Sequence, residues 1–200
     1  MAAEKLKTLL ITGFDPFGGE AVNPSWEAVA RLPDRIGDWR VEKRQIPTQF
    51  GQAAETVLAA AAECMPNVIL CVGQAGGRSS VTPEVVAINL REATIADNAG
   101  QQPRNEPVVA GAREAYFATV PVREMLAAIK ARGIPAALSY SAGAFVCNDT
   151  LYQLLHHYCG TPTRVGFIHV PFLPEQAQNG QPSLALETIT EALAVAIEAL

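Results

Sequence analysis

The sequence predicts an α/β protein, a three-layer α/β/α sandwich with a mostly parallel, twisted sheet in a single domain. The 200-residue length is that of one ordinary domain, so we expect residues 1–200 to form one unit. Short apolar runs typical of buried strands alternate with longer segments typical of helices. Because parallel strands need crossover connections, this alternation favours a parallel sheet with helices on both faces.

The strand candidates are short apolar or alternating runs bounded by turn-forming residues. The most hydrophobic run is NVILCV, and WRVEKRQI carries enough charge to indicate a strand near an edge. The predicted strands are 7–12, 39–46, 67–72, 84–89, 136–140 and 165–170.

The helix candidates carry recognisable start and stop signals. Asn23 and Pro24 precede the first of them, and Asn is a preferred N-cap while Pro suits the first helical turn. Gly133 and Pro135 end another in the usual way. The predicted helices are 25–32, 51–65, 122–132, 148–158 and 183–200, and the turn-rich stretch 97–107 is predicted to be a loop.

The composition argues against several classes of protein. The chain is 49% hydrophobic and 18% charged, with a net charge of −5, so it lacks the basic face that nucleic acid requires. No run of Lys or Arg suits an anionic membrane, and no segment has the length of a spanning helix or a secretory signal. We therefore expect a cytoplasmic protein with reduced cysteines. None of the four cysteines forms a CxxC pair, so no metal site is expected; they are Cys64, Cys71, Cys147 and Cys159.

Several chemically capable residues follow predicted strands. GFDPFGG follows the first strand, GQAGGR follows the third, and His169 leaves the strand 165–170. Sites in such sheets form at the carboxyl ends of the strands, so these features are predicted to share one rim. The glycine-rich loops do not have the spacing of a nucleotide-binding motif, and tight turning alone would explain them.

Cys147 is the first candidate for chemistry. It follows a predicted strand through a short turn and lies close to a helix N-terminus, where a thiolate is favoured. His169 lies 22 residues downstream and could serve as its proton carrier if the strands adjoin. A buried structural cysteine and a hydrogen-bonded histidine remain the alternative interpretation.

Glu84 is the candidate to orient the imidazole, because it stands directly before an apolar run; an exposed loop carboxylate is the alternative. The tandem His156 and His157 are interpreted as responding to a helix dipole. The three other cysteines are assigned to packing.

Six blocks of the sequence resemble pyroglutamyl-peptidase I, or pyrrolidone-carboxylate peptidase, a family of cysteine peptidases. The resemblance covers nearly the whole chain in the family's order, and the blocks are LLITGFDPFGGEAVNPSWEAV, GQAGGR, TPEVVAIN, DNAGQQP, SAGAFVCND and GFIHVPFLPEQ. It implies removal of an N-terminal 5-oxoproline from peptides through a thioester, without metal or cofactor. It also implies a cytosolic homo-oligomer, commonly a tetramer.

Carried over by position, the resemblance places the nucleophile at Cys147, the general base at His169 and the acidic partner at Glu84. The family often has Arg where this chain has Val85 and Thr94. These departures leave the three catalytic candidates in place and put in doubt a guanidinium contribution to charge stabilisation.

A 5-oxoprolyl ring has a lactam N–H, a lactam C=O and an apolar edge, so its site needs an apolar slot with polar partners. Phe14, Phe17 and Phe145 are predicted to form that slot, and Gln74 to hydrogen-bond the lactam; ordinary core packing would also explain the phenylalanines. The competing function is a non-catalytic small-molecule-binding α/β domain with a structural cysteine. A redox sensor is disfavoured because Cys159 lies at the far end of the helix that follows Cys147.

Overall fold

A computed structural model describes residues 6–200, which contain eight strands and five helices. The strands are β1 (Lys7–Phe14), β2 (Arg35–Ile36), β3 (Trp39–Ile46), β4 (Val68–Gln74), β5 (Thr82–Pro83), β6 (Val86–Ile88), β7 (Ala115–Phe117) and β8 (Arg164–Val170). The helices are α1 (Pro24–Arg31), α2 (Gln52–Cys64), α3 (Val122–Ala131), α4 (Val146–His157) and α5 (Leu186–Glu198).

Six strands form the central sheet in the order β2-β3-β1-β4-β8-β5. The four strands in the middle are parallel, and the two-residue edge strands β2 and β5 run antiparallel to their neighbours. Strands β6 and β7 form a separate antiparallel pair. The mostly parallel sheet confirms the predicted fold class.

The helices cover both faces of the sheet and divide the core in two. On one face, β-strand residues such as Ile11 and Ile168 pack against α1, α3 and α5. On the other face, residues such as Cys71 and Phe167 pack against α2 and α4. Alternate strand residues supply the two cores because successive side chains on a strand point to opposite faces.

The start of α1 follows the predicted capping. Asn23 has extended backbone and its Oδ1 accepts a hydrogen bond of 3.1 Å from the Ser25 N–H. Its Nδ2 donates to the carbonyl of Asp15 at 2.9 Å, which ties the helix start to the loop after β1. The cap therefore holds part of the rim as well as the helix.

The prediction of a strand at 136–140 is wrong. This segment makes only isolated bridges to the region around β5, at Val81 with Ala136 and at Glu84 with Ser139. The Val81 N–H donates to the carbonyl of Pro135, just before this segment, at 2.9 Å, and the Val85 N–H donates to the carbonyl of Ser139 at 2.8 Å. Pro83, halfway between them, has no N–H to donate, so the ladder is interrupted before it becomes a strand.

The prediction of a strand at 84–89 is correct only for Val86–Ile88. The chain leaves the central sheet after β5 and joins β7 in the smaller sheet, so Glu84 lies between two strands. Helix α4 begins two residues earlier than predicted, which places Cys147 inside its first turn. No helix in the described residues is long and apolar enough to cross a membrane.

Candidate active site

The carboxyl ends of β1, β4 and β8 border a cavity of about 430 Å³. Six of the seven residues predicted for the site line it, and they are Phe14, Phe17, Gln74, Phe145, Cys147 and His169. The seventh, Glu84, lies fully buried behind His169 instead. The structure thus brings together the loops that the sequence sends to this rim.

The thiol of Cys147 lies directly over β4. A Cβ placed on Gly73 would come within 2.8 Å of the Cys147 Sγ, so only glycine leaves room for the sulfur there. Gly73 is paired in register with His169 on β8, and paired residues in a sheet point to the same face. The imidazole of β8 therefore lies on the sheet face where α4 places the thiol, over the neighbouring strand β4.

Helix α4 presents unpaired backbone donors beside the sulfur. Its N-cap, Phe145, offers no capping side chain. Within residues 6–200, the N–H groups of Val146, Cys147 and Asn148 make no hydrogen bond to another residue, and the Cys147 N–H faces its own sulfur. These groups carry the positive end of the helix dipole, so this part of the cavity suits a negatively charged oxygen.

His169 and Glu84 form a buried pair. The His169 Nδ1 and the Glu84 Oε1 are 2.7 Å apart, and the two residues are 3% and 0% exposed. The Phe167 ring lies against the imidazole with the centroids 4.7 Å apart. With Nδ1 engaged, Nε2 is the ring nitrogen left for chemistry at the cavity.

The pKa shifts describe the resting protonation of the three residues. Burial, with the charge of Glu84, raises the pKa of the Cys147 thiol to about 12. Burial also lowers the pKa of His169, although Glu84 opposes that shift. Burial alone would raise the pKa of Glu84, but hydrogen bonds and the charge of His169 outweigh it, and the pKa is lowered. The rest state is a thiol, a neutral imidazole and a carboxylate.

The expectation of a thiolate favoured by the helix N-terminus is therefore wrong for the resting site. The helix dipole is opposed by removal of the sulfur from water and by the negative charge of Glu84 nearby. Cys147 therefore keeps its proton at rest, and the neutral imidazole of His169 lies on the same face of the sheet.

Aromatic rings form one wall of the cavity. The Phe17 and Phe145 centroids are 6.1 Å apart, and Phe145 packs edge-on against Phe50 at 5.2 Å. Phe14 is buried but also lines the cavity, and its ring centroid is 6.2 Å from that of Phe167. Phe50 was not anticipated from the sequence because it belongs to the loop before α2 and reaches the wall only through Phe145.

Gln74 has a fixed side-chain orientation at the other wall. Its Oε1 accepts a hydrogen bond of 3.1 Å from the Nε2 of Gln176, which is 7% exposed. The Gln176 Oε1 accepts in turn from the Leu173 N–H at 3.1 Å. The acceptor end of Gln74 is thus occupied, and its Nε2 remains as the donor toward the cavity. Gln176 is the last residue of the block GFIHVPFLPEQ, and the sequence did not predict it as a site residue.

Arg78, the last residue of GQAGGR, was also missed as an individual site residue. Its Nη1 donates to the Glu84 Oε1 at 2.8 Å, and its Nη2 donates to the Ser141 carbonyl at 3.0 Å. Val85 and Thr94, where the family often has arginine, do not line the cavity. A guanidinium therefore reaches the site from a different loop.

The residues after Cys147 anchor its helix. Asn148 exchanges hydrogen bonds with the backbone of Ile88, and Asp149 pairs with the Arg91 Nε at 2.6 Å. Asp149 also accepts from the Gly51 N–H at 2.9 Å, at the start of α2. In the CND sequence, the candidate nucleophile Cys147 is therefore followed by two residues, Asn148 and Asp149, that hold the start of α4 in place.

The remaining cysteines and histidines lie elsewhere. Cys71 is buried beneath the cavity, where burial raises its pKa to about 12, but Cys159 is exposed, so its assignment to packing is wrong. His156 bonds Tyr116 at the last turn of α4. In the described part of the chain, no three His, Cys, Asp or Glu side chains form a potential metal cluster.

The chain is similar over nearly its full length to known peptidases. A sequence profile described as pyroglutamyl peptidase matches residues 7–200. The pyrrolidone-carboxylate peptidase of Enterococcus faecalis is 51% identical over 195 residues, covering 96% of this chain and 92% of that protein. That of Brevibacillus brevis is 48% identical over 198 residues, with the same coverage of 96% and 92%.

Solved structures agree with the sequence matches. The crystal structure of pyroglutamyl peptidase I from Bacillus amyloliquefaciens superposes with a TM-score of 0.94 at 47% identity, covering 96% of this chain and 94% of that one. A mutant pyrrolidone carboxyl peptidase from Pyrococcus furiosus superposes with a TM-score of 0.91 at 40% identity, covering 96% of both chains. On sequence and structure alike, the chain belongs to the pyroglutamyl peptidase family.

Proposed function

We propose that this chain hydrolyses the amide bond after an N-terminal pyroglutamyl residue, with Cys147 as nucleophile, His169 as general base and Glu84 as its orienting partner. The observation that carries the proposal is the 2.7 Å contact between His169 Nδ1 and Glu84 Oε1, on the sheet face that also holds the Cys147 thiol. The relatives' names, pyrrolidone-carboxylate peptidase, support the substrate class.

The reaction begins from the protonated thiol. The Nε2 of His169 takes the Cys147 proton as the sulfur attacks the pyroglutamyl carbonyl carbon. The resulting imidazolium is stabilised by the carboxylate of Glu84, which also holds the ring by Nδ1. When the tetrahedral intermediate collapses, the C–N bond breaks and His169 returns the proton to the leaving amine.

Hydrolysis of the thioester reverses the proton path. His169 takes a proton from water as the oxygen attacks the acyl carbon; the C–S bond then breaks, His169 returns the proton to the Cys147 sulfur, and pyroglutamate leaves. In both halves the negative oxygen is held by backbone donors at the start of α4, including the Cys147 N–H. The unpaired N–H groups of the first turn support this assignment.

The cavity suits a small neutral ring. Phe14, Phe17 and Phe145 offer it apolar contact, and the Nε2 of Gln74 can donate to the lactam C=O. The cavity lining includes the charged side chain of Arg78 but no Asp or Glu, so it has no carboxylate for a free N-terminal ammonium. This arrangement favours a blocked N-terminus over a free one.

The test compares hydrolysis of a chromogenic pyroglutamyl amide by the wild type and by Cys147→Ala, with Cys159→Ala as the control for an exposed cysteine. We expect activity to disappear in the first variant and to remain in the second, and a thiol alkylator to inactivate the wild type. A folded wild-type chain that binds pyroglutamyl amides without hydrolysing them would support the non-catalytic binding domain instead.

We also propose that residues 1–200 form one catalytic unit that works in the cytoplasm, where the Cys147 thiol stays reduced. A homotetramer is proposed with it. The face shared by Ile88 and Phe117 on the β6–β7 pair is apolar and 36% and 72% exposed at these two residues, which suits burial against a second copy. Sedimentation of the wild type and of Phe117→Asp tests the assembly, and a monomeric wild type would contradict it.

A further inference from the structure

Arg78 connects three parts of the active site through one guanidinium. The Nη1 donates to Glu84 Oε1 at 2.8 Å and to Thr82 Oγ1 at 2.5 Å. The Nη2 donates to the carbonyl of Ser141, in the loop that leads to Cys147. The side chain is 28% exposed and borders the cavity.

We propose that Arg78 is a positioning residue for the hydrolysis: it orients the Glu84 carboxylate against His169 and ties that pair to the loop before Cys147. This inference rests on the proposed function, and it gives Arg78 a task that the nucleophile, base and acid do not cover.

The guanidinium is the charged partner of the buried carboxylate, with 2.8 Å between Arg78 Nη1 and Glu84 Oε1. Glu84 is 0% exposed, and its Oε2 has no hydrogen-bond partner in the described part of the chain. Its Oε1 therefore carries both contacts, from the imidazole and from Arg78. With His169 neutral at rest, Arg78 is the fully charged group in contact with the carboxylate, and hydrogen bonds from His169 and Ser139 also lower the pKa of Glu84.

The two contacts on one oxygen also limit how strongly Glu84 acts on His169. A buried carboxylate facing only the imidazole would favour the imidazolium and so reduce the fraction of His169 able to accept the Cys147 proton. The positive charge of Arg78 partly neutralises the carboxylate, and it also disfavours a second positive charge on the imidazole, which lowers the pKa of His169. It thus keeps His169 available as a base.

The titratable groups around the imidazole are few and can be assigned. Glu84 faces it from the chain after β5, Arg78 from the loop after β4, Cys147 from α4, and Cys71 lies on the same face of β4. Burial raises the pKa of both thiols to about 12, so neither titrates near neutrality. Burial lowers the pKa of His169, and the Arg78 charge lowers it further, against the opposing effect of Glu84.

The experiment compares Arg78→Met, Arg78→Gln and Arg78→Lys, with Arg104→Met as the control because Arg104 makes a comparable pair with Glu92 on the surface. We expect kcat of the neutral variants to fall on the order of 10²-fold, with a smaller change in KM. The acid limb of the kcat/KM profile should move to higher pH, since loss of the positive charge raises the pKa of His169.

Arg78→Lys should return the acid limb of the kcat/KM profile close to its wild-type position, because the positive charge is kept. It should recover only part of kcat, because an ammonium cannot reproduce the planar guanidinium that bonds Glu84 and Ser141 together. Arg104→Met should leave both rate and limb unchanged. An unshifted acid limb in Arg78→Met and Arg78→Gln would overturn the inference, even if both variants were slower.

A double-mutant cycle tests whether Arg78 acts through Glu84. In the Glu84→Gln background, Arg78→Met should reduce kcat by only a few-fold further, since the group it positions is already neutral. Fully multiplicative losses would overturn the coupling. A second readout that needs no turnover is the titration of His169 followed by ¹⁵N NMR, where the pKa should rise in Arg78→Met.

Failure of this inference can be told apart from failure of the proposed function. An inactive Cys147→Ala together with an unshifted Arg78→Met profile rejects the role of Arg78 alone. An active Cys147→Ala rejects the proposed mechanism itself, whereas the NMR titration still reports whether Arg78 and His169 are coupled.

Discussion

Gly73 on β4 and Cys147 on α4 are in contact across the sheet-to-helix interface, with 2.8 Å between the position of a Gly73 Cβ and the Cys147 Sγ. The Phe167 ring closes the same space at 2.8 Å. The absence of one side chain on a strand therefore fixes where the sulfur of the neighbouring helix lies.

We expect Gly73→Ala to displace the Cys147 thiol and to lower kcat on the order of 10²-fold or more, because the added methyl overlaps the sulfur. Overpacking should also cost about 1–3 kcal/mol of unfolding free energy. Steady-state kinetics and denaturant unfolding measure the two effects. Gly166→Ala is the matched control: its Cβ would overlap Val120 on the opposite face of the sheet, so it should lose stability with little specific loss of kcat.

The buried imidazole makes stability depend on pH. Burial lowers the pKa of folded His169 from its ordinary value of 6.5, so its stabilising contribution is complete above 6.5 and is lost as pH falls toward the folded pKa. We expect the free energy of unfolding of the wild type to decrease between pH 6.5 and 4.5 more steeply than that of His169→Gln; glutamates, with an ordinary pKa of 4.5, dominate the pH dependence below this range. Parallel curves from urea titrations would contradict the shifted pKa.

Asp149 should be a structural residue despite its position two residues after Cys147. Its carboxylate is 0% exposed and accepts hydrogen bonds from Arg91, Gly51 and Gln153. Asp149→Ala leaves the Arg91 charge without its partner and the α2 start without an acceptor, so we expect a loss of about 3 kcal/mol in unfolding free energy.

The comparison for Asp149 is Glu92→Ala, which breaks the exposed pair with Arg104 and should leave stability nearly unchanged. At a temperature where both variants are folded, kcat should stay within a few-fold of the wild type. A large loss of kcat in fully folded Asp149→Ala would assign it a part in the reaction.

The sequence could predict the elements whose signals are local. The capped start at Asn23, the apolar β4 and the glycine-rich loops are all recognisable from residue type and spacing. The interrupted ladder at 136–140 could not be predicted in the same way, because it depends on which partner strand carries Pro83 and in which register.

The site residues also differ in whether their signals are local or depend on long-range contacts. Cys147, His169 and Glu84 stand in short blocks, and the resemblance to the family predicts their roles by position. Arg78 and Gln176 act through other side chains, at separations of 6 and 102 residues from Glu84 and Gln74, respectively. Their roles can be recognised only once the folded chain has brought the loops together. The same holds for the pKa of Cys147, because its burial depends on tertiary packing and the sequence shows only the helix N-terminus beside it.

The last prediction concerns selectivity between pyroglutamyl and prolyl substrates, whose rings are similar in size. A prolyl ring lacks the lactam C=O that the Gln74 Nε2 can bind, and it carries a positive charge into a cavity whose charged lining residue, Arg78, is also positive. A site built to hydrogen-bond one group can reject an analogue without it by about 10⁴–10⁵ in kcat/KM, so we expect discrimination of at least roughly 10³-fold.

Gln176→Leu should reduce this ratio by about 10-fold, because Gln74 then loses the hydrogen bond that fixes its amide and the amide becomes free to rotate. Gln181→Leu, an exposed glutamine of the same loop, is the control and should keep the wild-type ratio. Matched prolyl and pyroglutamyl amides measured on all three proteins give the ratios, and equal kcat/KM for the two substrates in the wild type would refute this account of the pocket while leaving the role of Cys147 intact.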